Sequence, residues 1–418
     1  MATVSSRSIP SNGMPLHLLQ LPGTRAVTIL LAFDAGARTE RAEENGVAHF
    51  LEHLVFKGGE RYPTHREINQ TAERLGGVLN AYTSHDLVAF HITVRAEAAP
   101  AALDLLTDFV AMPRLRPEEI DRERGVVIQE INRAYDQPST VAEHLIDEAA
   151  FGEHPLGRTV LGPAEHLRTF ERETITQFRA RRWAPQRGGA FFAGNLDHLP
   201  EAAEIDEMLS RFPALPDPEP YLPAPSLLGR TLVQHRQTNQ SHLRMIYQPS
   251  IDVSDVRQRA ALSIYATLLG GSMGSRLFEE IREKRGLCYS VYAFDHAFAD
   301  VPILQLGSGL DSSKCIEAFK RMAEIVQQLR DRPTEEEVAR AKAYAAGRLV
   351  LAFESTGAVA RHAAGEAIVF GQDTDPDAAV AALDAVTHQE VCEVAAGISE
   401  RLAIACVGPH QAEEFEQA

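Results

Sequence analysis

Apolar and polar positions along the chain fall into short alternating runs and longer helical periods, and the sequence of runs occurs twice. Residues 14 to 22 and 26 to 34 are short, apolar and β-branched, bounded by Pro22-Gly23 and Gly36, which predicts strands of an antiparallel meander. Strands follow at 78 to 83 and 88 to 94, joined by a Ser84-His85-Asp86 turn. Between the two pairs lie a mostly apolar segment at 46 to 56 and a helix opened by Pro63-Thr64-His65-Arg66-Glu67. Thr64 is its N-cap, Glu67 completes a capping box, and Gly76-Gly77 ends it. Helices are expected at 97 to 111, from 118 to about 135, and at 140 to 151, 171 to 182 and 201 to 212, with a buried strand at 190 to 194. Residues 213 to 225 carry six prolines and no apolar period, as a linker does. The order then recurs: strand-like residues 230 to 247, a helix from 255 to 269, a Gly270–Gly274 turn, a helix at 275 to 284, strands at 287 to 294 and 302 to 309, and a helix at 312 to 330. A helix opened by Pro333 then resembles the one opened by Pro117. The economical reading is an α+β chain of two homologous antiparallel-sheet-plus-helices units, residues 1–212 and 226–418.

Bulk numbers narrow the function classes. A length of 418 residues suits two domains or more, and 44% hydrophobic with 24% charged residues is the balance of a globular enzyme. The net charge of -17 argues against a general nucleic-acid binder, which must neutralise phosphates. No leader-like start and no membrane-spanning apolar run is present, so a cytoplasmic, untethered protein is expected. Cys288, Cys315, Cys392 and Cys406 form no Cys-x-x-Cys pair and are read as free thiols.

The candidate chemistry lies in the apolar segment. His49-Phe50-Leu51-Glu52-His53 sets two imidazoles one helical turn apart, with Glu52 beside them, a spacing that can grip one metal ion. A catalytic zinc takes three protein ligands. The helix after Pro117 offers Glu123 and Glu130, seven residues apart and so on one face; Glu130 follows the apolar Val126-Val127-Ile128, where a buried carboxylate needs a metal or an arginine as partner. Registering Glu119-Ile120 on Glu337-Val338 sets Glu123 on Ala341 and Glu130 on Arg348, and the second half has no His-x-x-Glu-His segment. A fold shared by both halves does not need these polar residues. His65, His85 and His91 read as surface or turn histidines.

These segments, with Gly76-Gly77, Asn80-Ala81-Tyr82-Thr83, His154-Pro155-Leu156-Gly157-Arg158 and Arg282 through Tyr289, resemble the pitrilysin and insulinase family of inverted-motif zinc peptidases, and most closely its compact branch that includes the mitochondrial processing peptidase. The resemblance implies one zinc per chain on His49, His53 and Glu130, with Glu52 as general base and Glu123 as an acidic residue that orients a ligand histidine. It implies that Asn80 and Ala81 hold peptide by strand addition, and that Arg282 and Tyr289 contact substrate from the second unit. It further implies an endopeptidase of unfolded peptides or short extended segments, working in a chamber of which this chain forms one clamshell half. The partner would be a second copy, giving a homodimer, or a related subunit in a heterodimer.

Overall fold

The computed structural model describes residues 4–216, 219–331, 333–372 and 374–417. It is a mixed α+β fold with two sheets, each covered by helices. The first sheet comprises β1 (Val4–Ser8), β2 (Leu16–Gln20), β3 (Ala26–Phe33), β4 (Val78–Thr83), β5 (Val88–Arg95) and β6 (Gly188–Gly194), in the order β1-β2-β6-β3-β5-β4. The second comprises β7 (Thr231–His235), β8 (Gln240–Pro249), β9 (Cys288–Ala297), β10 (Pro302–Asp311) and β11 (Ile398–Gly408), in the order β7-β11-β8-β10-β9.

Apart from β1, the two sheets are the same design. β2 runs parallel to β6 as β7 does to β11, and β3 and β8 lie antiparallel to β6 and β11. β5 and β10 continue each sheet, and β4 and β9 close it as edge strands. The apolar periods read in the sequence therefore mark two copies of one topology. β1 has no counterpart among the described residues and was not expected from the pattern.

The compact units differ from the contiguous halves 1–212 and 226–418. One unit contains residues 1–131, 159–221 and 351–377, and the other residues 132–158, 222–350 and 378–418. The reason is an exchange of equivalent helices. Pro138–Phe151, which follows the first long helix, packs on β8 and β11 of the second sheet, where Ile146, Ala149 and Ala150 meet Ile246, Ala403 and Ala405. Thr356–Ala364, which follows the second long helix, packs on β3 and β6 of the first sheet; Val359, Ala360, Ala363 and Ala364 cover Leu30, Ala32, Phe191 and Ala193 there. The central strands β3 and β6 are thus buried on both faces. An apolar helix face reads the same whichever sheet it covers, so periodicity could not reveal the exchange.

Local differences follow from packing too. Thr267–Gly271 and Phe278–Glu283 form wide, π-helical turns, not a plain glycine turn followed by an α-helix. His91 is not a surface or turn residue. It stands mid-strand in β5, opposite Leu30 and Asn80, and burial lowers its imidazole to about 4.

Candidate metal centre

The helix Val47–Val55 begins abruptly. Its N-cap, Gly46, has φ 101°, and a Cβ there would meet the Leu161 carbonyl oxygen at 2.8 Å, so only glycine fits. The first-turn N–H groups find an acceptor outside the helix. The buried Glu40 carboxylate accepts from Ala48 N at 2.7 Å and Gly46 N at 2.9 Å, and from Asn45 Nδ2 at 3.0 Å. Burial raises this carboxyl to about 8, against the pull of its Asn45, Ala48 and Gly46 donors toward the charged form. Phe50, Leu51, Leu54 and Val55 anchor the helix in the core.

Held this way, the helix presents both imidazoles to one point. His49 and His53 ring centroids are 4.7 Å apart. Glu130, from the helix Pro117–Asp136, places Oε2 3.4 Å from His53 Nε2 and 3.9 Å from His49 Nε2. One ligand atom from each of the three residues lies within 4.8 Å of the others. Two imidazole nitrogens and one carboxylate form a donor set that suits zinc with a position to spare. Burial and the neighbouring His53 hold the His49 imidazole down at about 4, so it is neutral, as a metal ligand must be. His49 Nδ1 is buried and has no hydrogen-bond partner among the described residues.

Glu123 lies behind His53, one oxygen to the His53 ring and one to the Lys57 ammonium. Its Oε1 is 2.9 Å from His53 Nδ1 and its Oε2 2.5 Å from Lys57 Nζ. Burial alone would lower the His53 imidazole, but the carboxylates of Glu123, Glu130 and Glu52 outweigh it and the net shift is upward. Burial likewise works against the Glu123 carboxylate, and His53 and Lys57 reverse it, so this group is held down. The bond on Nδ1 fixes the ring and leaves Nε2 turned to the donor cluster. Glu52 stands apart from this chain. Burial raises its carboxyl, while the Thr83 hydroxyl at the end of β4 donates to Oε2 at 2.5 Å.

Asn80 and Ala81 lie in β4, paired on one side with His91 and Phe90 of β5; the other side of β4 has no strand beside it among the described residues. Asn80 Oδ1 accepts from Ala81 N at 2.9 Å. Arg282 and Tyr289 belong to the other unit. There Arg282 stacks over the Phe278 and Tyr289 rings at 4.6 and 5.5 Å, and Tyr289, in edge strand β9, is 85% exposed.

Three contributors escaped the sequence reading: Glu40, Lys57 in its ion pair, and Thr83 in its bond to Glu52. Each acts through a partner set by the fold. A lysine one turn beyond the second histidine was the only signal available for Lys57.

A scaffold and donor set of this kind define a class, the zinc metallopeptidases with an inverted helix motif. Within it the chain belongs to the insulinase family, peptidase family M16: that family's model matches residues 17–164, and the model of the M16 inactive domain matches residues 169–344. An uncharacterized zinc protease of Streptomyces coelicolor is 30% identical over 98% of this chain and 90% of its own, and one of Mycobacterium tuberculosis is 32% identical over 93% and 90%. Among solved structures, a peptidase M16 inactive domain from Pseudomonas fluorescens superposes with a TM-score of 0.89 at 18% identity, covering 98% of this chain and 99% of its own. A protease from Helicobacter pylori gives 0.87 at 19% identity, covering 98% and 100%. The chain is thus a metallopeptidase with zinc as cofactor. Among the described residues no helix is long and apolar enough to cross a membrane.

Proposed function

We propose that the chain is an endopeptidase that holds one zinc on His49, His53 and Glu130 and cleaves unfolded peptides or short extended segments inside a chamber. The observation that carries this reading is the convergence of His49 Nε2, His53 Nε2 and Glu130 Oε2 beside Glu52. When bound, zinc polarises the scissile carbonyl and lowers the pKa of water. Glu52 takes a proton from the attacking water and delivers it to the leaving amine. Its burial-raised pKa brings the carboxyl toward the range in which a group can both accept and release a proton near neutrality. Thr83 occupies Oε2 and steadies the carboxylate, leaving Oε1 for the proton. Glu123, anchored by Lys57, keeps His53 in the ligating tautomer.

Substrate backbone pairs along β4 at Asn80 and Ala81, which reads main chain and not side chains. Arg282 and Tyr289 supply donors to the peptide and to the developing oxyanion. The working form is a homodimer in the cytoplasm; a related chain is the alternative partner. Purified protein tests the reading. About one zinc at the His49–His53–Glu130 centre is expected, with peptide cleavage abolished by a chelator. Glu52→Gln keeps the metal and lowers kcat by about 100-fold or more. Unchanged cleavage in that variant would sink the assignment.

A further inference from the structure

A second cluster of metal-binding side chains lies in the other unit, far along the chain from the first. Cys315 opens the helix Cys315–Arg330, Cys406 lies in β11, and His410 follows the end of that strand. Both cysteines are 0% exposed and His410 is 6% exposed. One ligand atom from each lies within 4.8 Å of the others, and the two Sγ atoms are 4.0 Å apart. That separation is far too long for the S–S bond of about 2.05 Å. It is close to the roughly 3.8 Å between two thiolates that share one tetrahedral zinc at about 2.3 Å each.

The surroundings complete the set. The fully buried Ser241 Oγ is 2.8 Å from His410 Nε2, and Glu414 Oε2 is 3.7 Å from His410 Nδ1. Glu414 lies at ion-pair distance on the Nδ1 side, and Nε2 is the ring nitrogen turned to Ser241. Gly408 makes the closure possible: a Cβ at that position would meet Ser241 Oγ at 2.3 Å and His410 Cδ2 at 3.2 Å.

We propose that Cys315, Cys406 and His410, with the Ser241 hydroxyl as fourth donor, form a structural zinc site. Charge favours a divalent ion, and the sulfur and nitrogen donors suit zinc among these. Binding releases one proton from each thiol to solvent, and two thiolates cancel the double charge of Zn2+, so the apolar core around Cys315 and Cys406 receives a neutral complex. A monovalent soft cation would leave a net negative charge there. The site staples the chain end at 410–416 and the start of the Cys315–Arg330 helix to the second sheet. No local spacing announces it, since the cysteines are 91 residues apart.

The test uses the full chain with the His49→Ala/His53→Ala pair, which disables the other centre and so separates the two. After reduction and reconstitution, this variant is expected to hold about one zinc per chain. Its cobalt form should show a near-ultraviolet thiolate-to-cobalt band. Adding Cys315→Ser or Cys406→Ser should remove the band and lower the thermal midpoint. In the otherwise native chain, the same serine variants should leave peptide cleavage at its basal rate. His410→Gln, which keeps both thiols, should weaken zinc binding by about tenfold or more, a readout that survives if a serine variant fails to fold. A folded double-alanine chain that takes up no zinc, or a cobalt form without the thiolate band, overturns the proposal.

Discussion

Lys57 pairs with Glu123, and Glu123 pairs with His53, so with zinc on the proposed donors a residue outside the donor set is expected to govern how well that set binds. Replacing Glu123 by Gln keeps a hydrogen-bonding group but removes the charge that faces the His53 Nδ1 and the Lys57 ammonium. Zinc affinity is expected to fall by about 10- to 100-fold, measured by competition with a chromophoric chelator. Lys57→Met should give a smaller loss in the same assay, because Glu123 keeps its bond to His53. The two histidines and Glu52 were legible in the sequence because their geometry is local: five residues on one helix determine it. Glu130 required a second helix 77 residues further on, and the duplication marked it as foreign to the shared fold. Thr83 and Lys57 remained hidden because a strand threonine and a lysine after a helix are ordinary until the partner is in place.

Two helix starts show what elements owe to their ends. Glu40 caps the Val47–Val55 helix from six residues before Gly46, outside the positions at which a cap is sought. Thr64 caps where the pattern puts it: Thr64 Oγ1 accepts from Glu67 N at 3.3 Å, and the Glu67 carboxylate accepts from the Thr64 hydroxyl instead of the backbone N–H that a full capping box would use. Glu40→Ala leaves two buried N–H groups without an acceptor and should cost about 2 kcal/mol or more, read as a lower urea midpoint of the metal-free protein, with Glu40→Gln closer to the native value. The start of Glu335–Phe353 titrates. Arg276 grips Glu337 through two bonds of 2.7 and 2.9 Å, and Thr334 N and Oγ1 donate to the same carboxylate. Arg276 above all holds this carboxyl down at about 2, against an ordinary value of 4.5. A depressed acid contributes its full stability above its ordinary pKa and loses it as the pH falls through the folded value. Glu337→Gln is therefore expected to lower the thermal midpoint at pH 7, and the gap to the native chain should close between pH 4.5 and about 2.

On the scale of the whole molecule, the repeated order of strands was readable because each sheet is written in one half of the sequence. The exchange of the Pro138–Phe151 and Thr356–Ala364 helices was not, because the sequence gives an apolar stripe but not its destination. A fragment ending at residue 221 keeps every strand of the first sheet yet lacks the helix that covers Leu30, Phe191 and Ala193. Expressed alone it should partition to the pellet, and adding residues 351–377 through a flexible linker should return it to the soluble fraction. A large bare apolar sheet face invites association. The same feature imposes a timetable on synthesis. The last strand of the first sheet is complete at Gly194, but its cover ends at Ala364, about 170 residues later. At translation rates of about 5–20 residues per second, the nascent chain carries that face uncovered for roughly ten to thirty seconds, long enough for a ribosome-associated chaperone to find it before its own helix does.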